Sequence, residues 1–421
     1  MTDSVLDDLA WRGLIAHSTD LDVLRKEMAE GPVRFYVGFD PTAPSLHMGH
    51  LVQILTARRL QLAGHTPYAL VGGATGMIGD PRESSERVLN SLDAVQSWVE
   101  GVRAQIEPFL SFEGPNAATM VNNYDWTASL SIIDFLRDIG KHFPVNRMLS
   151  RDIVRTRLED GISYTEFSYV LLQSMDYLNL YRHHGVTLQF GGSDQWGNLT
   201  AGVELIRRAV GVRVHALATP LLTRGDGSKY GKTEGGALWL DPDLLSPYGF
   251  YQFWLNVEDE KVGEMLRVYT FLSRDEIEEL ETRTAEKPFL RAGQRVLAES
   301  VTSLVHGPEE TVRVAAAAAA LFGGGDLRAL EADTLEAALR EAPHVELPEA
   351  SELPTYADLL AASGLLASKG AARRAVSEGG AYVNNERITD PDARPSAEDL
   401  LPGGWLLLRR GKRNLAGVRV S

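Results

Sequence analysis

The chain has 421 residues, 44% of them hydrophobic, and no cysteine. That length allows two or three domains, taking roughly 150 residues each, and the missing cysteines exclude disulfides, a thiolate nucleophile and cysteine-ligated metal. The net charge of −15 is unevenly spread: residues 354–421 carry ten Lys/Arg against seven Asp/Glu, net +3, and the first 353 carry 32 against 50, net −18. A basic tail on an acidic body points to a polyanion held locally. No run approaches the ~18 apolar residues of a membrane span. The opening Thr2-Asp3-Ser4-Val5-Leu6-Asp7-Asp8 is acidic where a signal peptide would be basic, so a cytoplasmic protein without a membrane partner is expected.

The first informative element is an apolar strand, Arg34 to Phe39, that runs through a proline-punctuated loop into a helix opening on His47-Met48-Gly49-His50. The two histidines are three apart and share a helical face. Imidazoles beside a helix N-terminus suit a phosphate chain, and Gly49 leaves the backbone approachable. The helix is expected to end near Gly64, before a second strand, Pro67 to Val71. Strand, helix and strand within about forty residues make a parallel β-α-β unit. Glycines follow in Gly72-Gly73-Ala74-Thr75-Gly76, ahead of Asp80. Further strands are expected at Thr119–Asn122, Val186–Phe190 and Val214–Leu222.

A helix from Thr165 to Tyr181 sets Tyr169, Gln173 and Asp176 on one stripe, a spacing that fits a solvated face as well as a pocket. Asp80 and Tyr36 favour the pocket, because strands could bring both to the same crevice. His183-His184 reads as a helix C-terminal feature. After Phe190 comes Gly191-Gly192-Ser193-Asp194-Gln195-Trp196-Gly197-Asn198, whose glycines let a ligand pass close and whose Asp194 could accept ribose hydroxyls. Neither glycine run fits G-x-G-x-x-G, which argues against a nicotinamide enzyme. Gly225-Asp226-Gly227-Ser228-Lys229-Tyr230-Gly231-Lys232-Thr233 resembles a P-loop but lacks its first glycine and a following helix. A loop whose ammoniums close over a phosphate chain fits better.

From Tyr248 the pattern turns to amphipathic helices, expected at 251–257, 261–272, 274–282 and 289–306, with Ala315–Ala320 buried and Gly323-Gly324-Gly325 as a stop. The expected organisation is a Rossmann-like, doubly wound α/β domain over 1–240, an α-helical domain over 241–340, a proline-marked linker over 341–353, and a small α+β domain over 354–421.

Together these residues resemble the bacterial tyrosyl-tRNA synthetases, a class I aminoacyl-tRNA synthetase family, over nearly the whole chain. The family's His-Ile-Gly-His signature is similar to His47-Met48-Gly49-His50, its Lys-Met-Ser-Lys-Ser signature to Lys229–Thr233, and its run Gly-Gly-Ser-Asp-Gln-Trp-Gly-Asn stands unaltered at Gly191–Asn198. Ser368–Arg374 with Gly380–Asn385 resembles a small RNA-binding module shared with a ribosomal small-subunit protein. The resemblance implies that ATP and L-tyrosine form tyrosyl-adenylate and pyrophosphate, and that tyrosine then passes to the 3′ end of tRNA(Tyr). Thr42, His47, His50, Arg87, Lys229, Lys232 and Thr233 would serve the phosphates. Tyr36 and Asp176 would bond the substrate phenol, Asp80, Tyr169 and Gln173 its ammonium, and Gln189 and Gln195 would line the pocket near its carboxylate. Gly38, Asp40, Gly49, Gly192 and Asp194, with Lys232, would hold ATP. Lys369, Arg373 and Arg374 would meet tRNA. Magnesium is expected with ATP, no structural metal in the protein, and a homodimer as the assembly. Arg151, Arg207 and Arg208 face either the acceptor stem or solvent. Tryptophanyl-tRNA synthetases and small-molecule nucleotidylyltransferases are the rival readings, and the Tyr36–Asp176 pair and the basic tail favour tyrosine.

Overall fold

In the computed structural model, residues 4–81, 89–159, 161–223, 232–233, 236–322, 325–348, 353–411 and 414–420 are described. They form two compact units, residues 1–241 with 267–271, and residues 242–266 with 272–421.

A six-stranded sheet in the order β1-β6-β5-β2-β3-β4 organises the first unit. Its strands are β1 (His17–Ser18), β2 (Arg34–Phe39), β3 (Thr66–Val71), β4 (Thr119–Asn122), β5 (Leu188–Gly192) and β6 (His215–Thr219). β2 to β6 run parallel, and the edge strand β1 pairs antiparallel with β6. Continuous apolar runs such as Phe35-Tyr36-Val37 are buried, as expected of parallel strands covered on both faces. Strand order turns back between β2 and β5, so a crevice opens at the carboxyl ends of those two strands, where doubly wound sheets bind ligands. The long helix Tyr164–His184 is capped by Ser163 and ends on Gly185 in the left-handed region. Arg34 donates to the carbonyl of His184 at 2.7 Å, so the histidine pair does mark a helix end.

The antiparallel pair β7 (Lys232–Thr233) and β8 (Gly236–Ala237) also belongs to the first unit. In the second unit, helices Pro247–Leu255, Arg274–Glu286, Ala292–His306 and Pro308–Leu321 precede a five-stranded sheet. That sheet has the order β11-β10-β12-β13-β9, with β9 (His344–Leu347), β10 (Ala381–Val383), β11 (Glu386–Arg387), β12 (Trp405–Arg410) and β13 (Asn414–Val420). The expected stop at Gly323-Gly324 lies outside the described residues. Pro343 and Pro348, read from sequence as linker punctuation, bracket β9 instead, which pairs in parallel with β13. The β10–β11 hairpin turns on Asn384 and Asn385, both at positive φ (47° and 68°), as a two-residue hairpin loop requires.

Candidate active site

β2 delivers its C-terminal residues to the crevice, and the loop beyond it starts the helix Met48–Leu62 with His47 as N-cap. The Nδ1 atom of His47 accepts from the Gly49 amide at 3.1 Å, and Nδ1 of His50 accepts from the His47 amide at 3.2 Å. Two orphan N–H groups of the first turn are thereby satisfied by imidazoles. With Nδ1 accepting, each neutral ring carries its proton on Nε2, and the ring centroids lie 4.0 Å apart. Burial, and then the neighbouring His47, push the His50 pKa down to about 3, so this ring is a neutral donor at physiological pH. Gly49 is required locally, since a Cβ there would lie 2.9 Å from His47 Cε1. The Met48 amide donates to the Leu238 carbonyl at 3.0 Å and the Leu240 amide to Leu46 at 2.9 Å, with Trp239 bridged to His47. Thr42 and Gly38 are exposed at this corner.

On the other side of the crevice the tyrosine-binding residues expected from sequence converge. Tyr36 on β2 stands in register with Gln189 on β5. Among the described residues its hydroxyl is buried without a hydrogen-bond partner, as are Gln189 Oε1 and Gln173 Oε1. Unpaired buried groups of this kind cost about 1–3 kcal/mol each, so the Tyr36 hydroxyl, close enough to feel the Asp176 charge, marks a place for a polar ligand. Asp176 is 2% exposed and accepts from Asn123 Nδ2 at 2.9 Å and Trp126 Nε1 at 2.8 Å. Burial raises its pKa to about 7, against the pull of those two donors. Burial also raises the Tyr36 phenol well above its ordinary value, and the Asp176 charge adds to this.

Asn123 ties the floor together. Its Nδ2 also reaches Thr75 Oγ1 at 2.9 Å, and its Oδ1 accepts from the Ala74 amide at 2.7 Å. Thr75 donates to Asp40 Oδ1 at 2.6 Å, and the Tyr169 hydroxyl donates to Asp40 Oδ2 at 2.5 Å. Asp40, expected to hold ATP, is therefore bound in this structure to the residue expected to hold the amino group. Gly72 makes room for that carboxylate: a Cβ there would lie 2.0 Å from Asp40 Oδ1. Asp80 accepts from Gln195 Nε2 at 2.8 Å and from Asn198 Nδ2 at 3.1 Å.

Gly192 ends β5, and a Cβ on it would lie 2.5 Å from Asp194 Oδ1, whose residue is exposed at the rim. Lys232 lies on β7 with Thr233, which pairs with Gly236. Lys229 and Arg87 lie outside the described residues. Among the described residues no group of three or more His, Asp or Glu could hold a metal ion, and no helix is long and apolar enough to cross a membrane.

Sequence reasoning assigned no role to Asn123, Trp126, Thr75, Trp239 or Asn198. Asn123 directly follows the carboxyl end of β4, where ligand-facing residues gather in such sheets, and that was the available signal. Arg151 turns inward to Asn198 Oδ1 at 2.5 Å, while Arg207 and Arg208 both clasp Glu204. In the second unit, Lys369, Arg373 and Arg374 lie exposed on the helix Lys369–Ser377; Lys369 pairs with Asp358 and Arg373 with Asp392.

The model of tRNA synthetases class I (W and Y) matches residues 28–323, and that of the tyrosine–tRNA ligase C-terminal domain matches 334–418. The chain is 63% identical to the tyrosine–tRNA ligase of Streptomyces coelicolor over all of both chains. It is 59% identical to that of Thermobifida fusca over 99% of each. A C-terminally truncated mitochondrial tyrosyl-tRNA synthetase from Coccidioides posadasii superposes with a TM-score of 0.67 at 29% identity, covering 75% of this chain and 91% of its own. The chain belongs to the class I tRNA synthetases, in the branch of the tyrosine–tRNA ligases.

Proposed function

We propose that the chain activates L-tyrosine with ATP and transfers it to tRNA(Tyr). The observation that carries tyrosine is the orphaned Tyr36 hydroxyl in the same buried crevice as Asp176. A phenol placed there accepts from Tyr36 and donates to Asp176, whereas a phenyl ring leaves the Tyr36 hydroxyl buried and unpaired and gives Asp176 no further donor.

The tyrosine carboxylate attacks the α-phosphate of ATP, and pyrophosphate leaves. The nucleophile is already ionised, so the step requires no general base and rests on positioning and charge stabilisation. Asp80, Tyr169 and Gln173 hold the ammonium, and Gln189 and Gln195 line the carboxylate side. Thr42, His47 and His50 donate to the phosphates from the helix side, and Arg87, Lys229, Lys232 and Thr233 serve the same phosphates. Gly38, Asp40, Gly49, Gly192 and Asp194 take the nucleoside. Magnesium would come with the ATP phosphates and would supply charge neutralisation there. The test is ATP–pyrophosphate exchange with each amino acid in the absence of tRNA. Exchange with tyrosine alone supports the assignment, and exchange with tryptophan moves it to the sister family.

The cytoplasm is the proposed compartment, residues 241–340 the anticodon-binding part, and the 354–421 segment the part that grips tRNA phosphates. Arg374→Glu is expected to raise KM for tRNA several-fold and to flatten its salt dependence, by about one unit of slope for each phosphate that is no longer neutralised. Tyrosine-dependent exchange stays unchanged; an unchanged KM for tRNA would count against the assignment.

A homodimer is proposed from the segment 130–164, where Ile132, Ile133, Val145 and Tyr164 are 75%, 69%, 61% and 68% exposed. Apolar exposure concentrated in one segment is the mark of a covered surface. Ile132→Asp with Ile133→Asp is expected to halve the mass seen by sedimentation, and an unchanged dimer would rule this surface out.

A further inference from the structure

Asp80, Gln195 and Asn198 form a closed triangle. Gln195 Nε2 donates to one Asp80 oxygen at 2.8 Å, Asn198 Nδ2 donates to the other at 3.1 Å, and Asn198 Nδ2 also donates to Gln195 Oε1 at 2.8 Å. The Asp80 carboxylate only accepts, so it turns both amide nitrogens toward itself and leaves Asn198 Oδ1 pointing out of the triangle. That oxygen is held from outside by Arg151, whose Nη2 donates to Asn198 Oδ1 at 2.5 Å. A guanidinium only donates, so it commits Oδ1 to itself and Nδ2 to Asp80 and Gln195. Asn198 is 2% exposed, and Arg151 lies over Gly197, where a Cβ would meet Nη2 at 3.2 Å. The cation is thus built into the site.

We propose that Arg151 is a positioning residue for the amino-acid grip: through Asn198 it orients the Asp80 carboxylate that receives the tyrosine ammonium. This rests on the reading of Asp80 as the ammonium partner. Without the guanidinium, Asn198 Oδ1 is left buried without its charged donor, and the side chain that donates to Asp80 loses its anchor. The phenol end of the pocket is built from other residues, Tyr36, Asp176, Asn123 and Trp126.

The experiment uses the full chain and two ligands that differ only in the ammonium. Tyrosine is followed by its KM in ATP–pyrophosphate exchange, and 3-(4-hydroxyphenyl)propanoate by its inhibition constant against tyrosine. Arg151→Met is expected to raise the tyrosine KM about tenfold. The inhibition constant of the desamino analogue and the KM for ATP stay within about twofold. Arg151→Lys, which keeps one charged donor, restores most of the affinity for tyrosine. An unchanged tyrosine KM in Arg151→Met overturns the proposal, as does equal weakening of both ligands, which is the signature of general structural damage. A change confined to the KM for tRNA also overturns it and returns Arg151 to the acceptor stem. Asp80→Asn separates the two layers. If that variant discriminates between the ligands and Arg151→Met does not, the relay alone fails; if Asp80→Asn weakens both alike, the ammonium reading fails and the proposal with it.

Discussion

Asp176→Asn is expected to raise the KM for tyrosine by roughly a hundredfold, about 3 kcal/mol, in ATP–pyrophosphate exchange. Both Asp176 oxygens already accept, one from Asn123 and one from Trp126. An asparagine has a single acceptor atom, so its amide nitrogen must oppose one of those donors or turn away from the ligand. The substrate hydroxyl then loses a charged acceptor, and the buried donors lose a partner. Phenylalanine never had that bond, so its activation falls much less and the tyrosine-to-phenylalanine ratio shrinks. A variant that still prefers tyrosine to the wild-type extent would remove Asp176 from the specificity site.

The same carboxyl makes a pH signature. Its pKa is raised from 3.8 to about 7 by burial. The folded protein therefore keeps a proton between about pH 4 and 7 that the unfolded chain has released, so this group's contribution to stability falls as pH rises through that window and levels off above it. Binding runs the other way. A phenolic O–H donates best to the ionised form, so tyrosine affinity is expected to rise with pH up to about 7 and then flatten. Asp176→Asn removes the rise, and isothermal titration at pH 6 and 8 checks it. Equal wild-type affinities at the two pH values would contradict this account.

What could be read from the chain alone was whatever lay contiguous along it. The His47–His50 turn and the glycine run after Phe190 are local features whose geometry follows from backbone and spacing. The stripe Tyr169, Gln173 and Asp176 was legible as a stripe, but its partners across the fold, Asp40 on Tyr169 and Asn123 with Trp126 on Asp176, were not. Asn123, Trp126 and Arg151 act across sequence separations of about fifty residues, set by sheet order rather than by pattern. Trp239 was invisible for the same reason, since its bridge to His47 closes a loop of nearly two hundred residues. β1 has two residues and no periodicity to detect. β9 was hidden because its flanking prolines resemble linker punctuation, although proline just outside a short strand costs no ladder hydrogen bond.

His50→Ala is expected to slow tyrosyl-adenylate formation by about 10²–10³, or 3–4 kcal/mol, with tyrosine affinity held within about twofold. Its ring is a fixed neutral donor: the His47 amide occupies Nδ1, which leaves the proton on Nε2. With the pKa pushed down to about 3, the ring does not titrate between pH 6 and 9, so its contribution to the rate is flat there. This separates a preorganised hydrogen-bond donor from a general acid, which would lose activity as it deprotonates near neutrality. Alanine also forfeits the capping bond to His47, worth about 1 kcal/mol of stability, so chemical denaturation is measured alongside. His50→Gln retains an N–H at similar reach and is expected to recover part of the rate. Rapid-quench measurement of adenylate decides the matter. A wild-type rate profile with a histidine-like inflection between pH 6 and 7 that vanishes in His50→Ala would show that the ring works as an acid, because a ring that is neutral throughout that range has no proton to lose there.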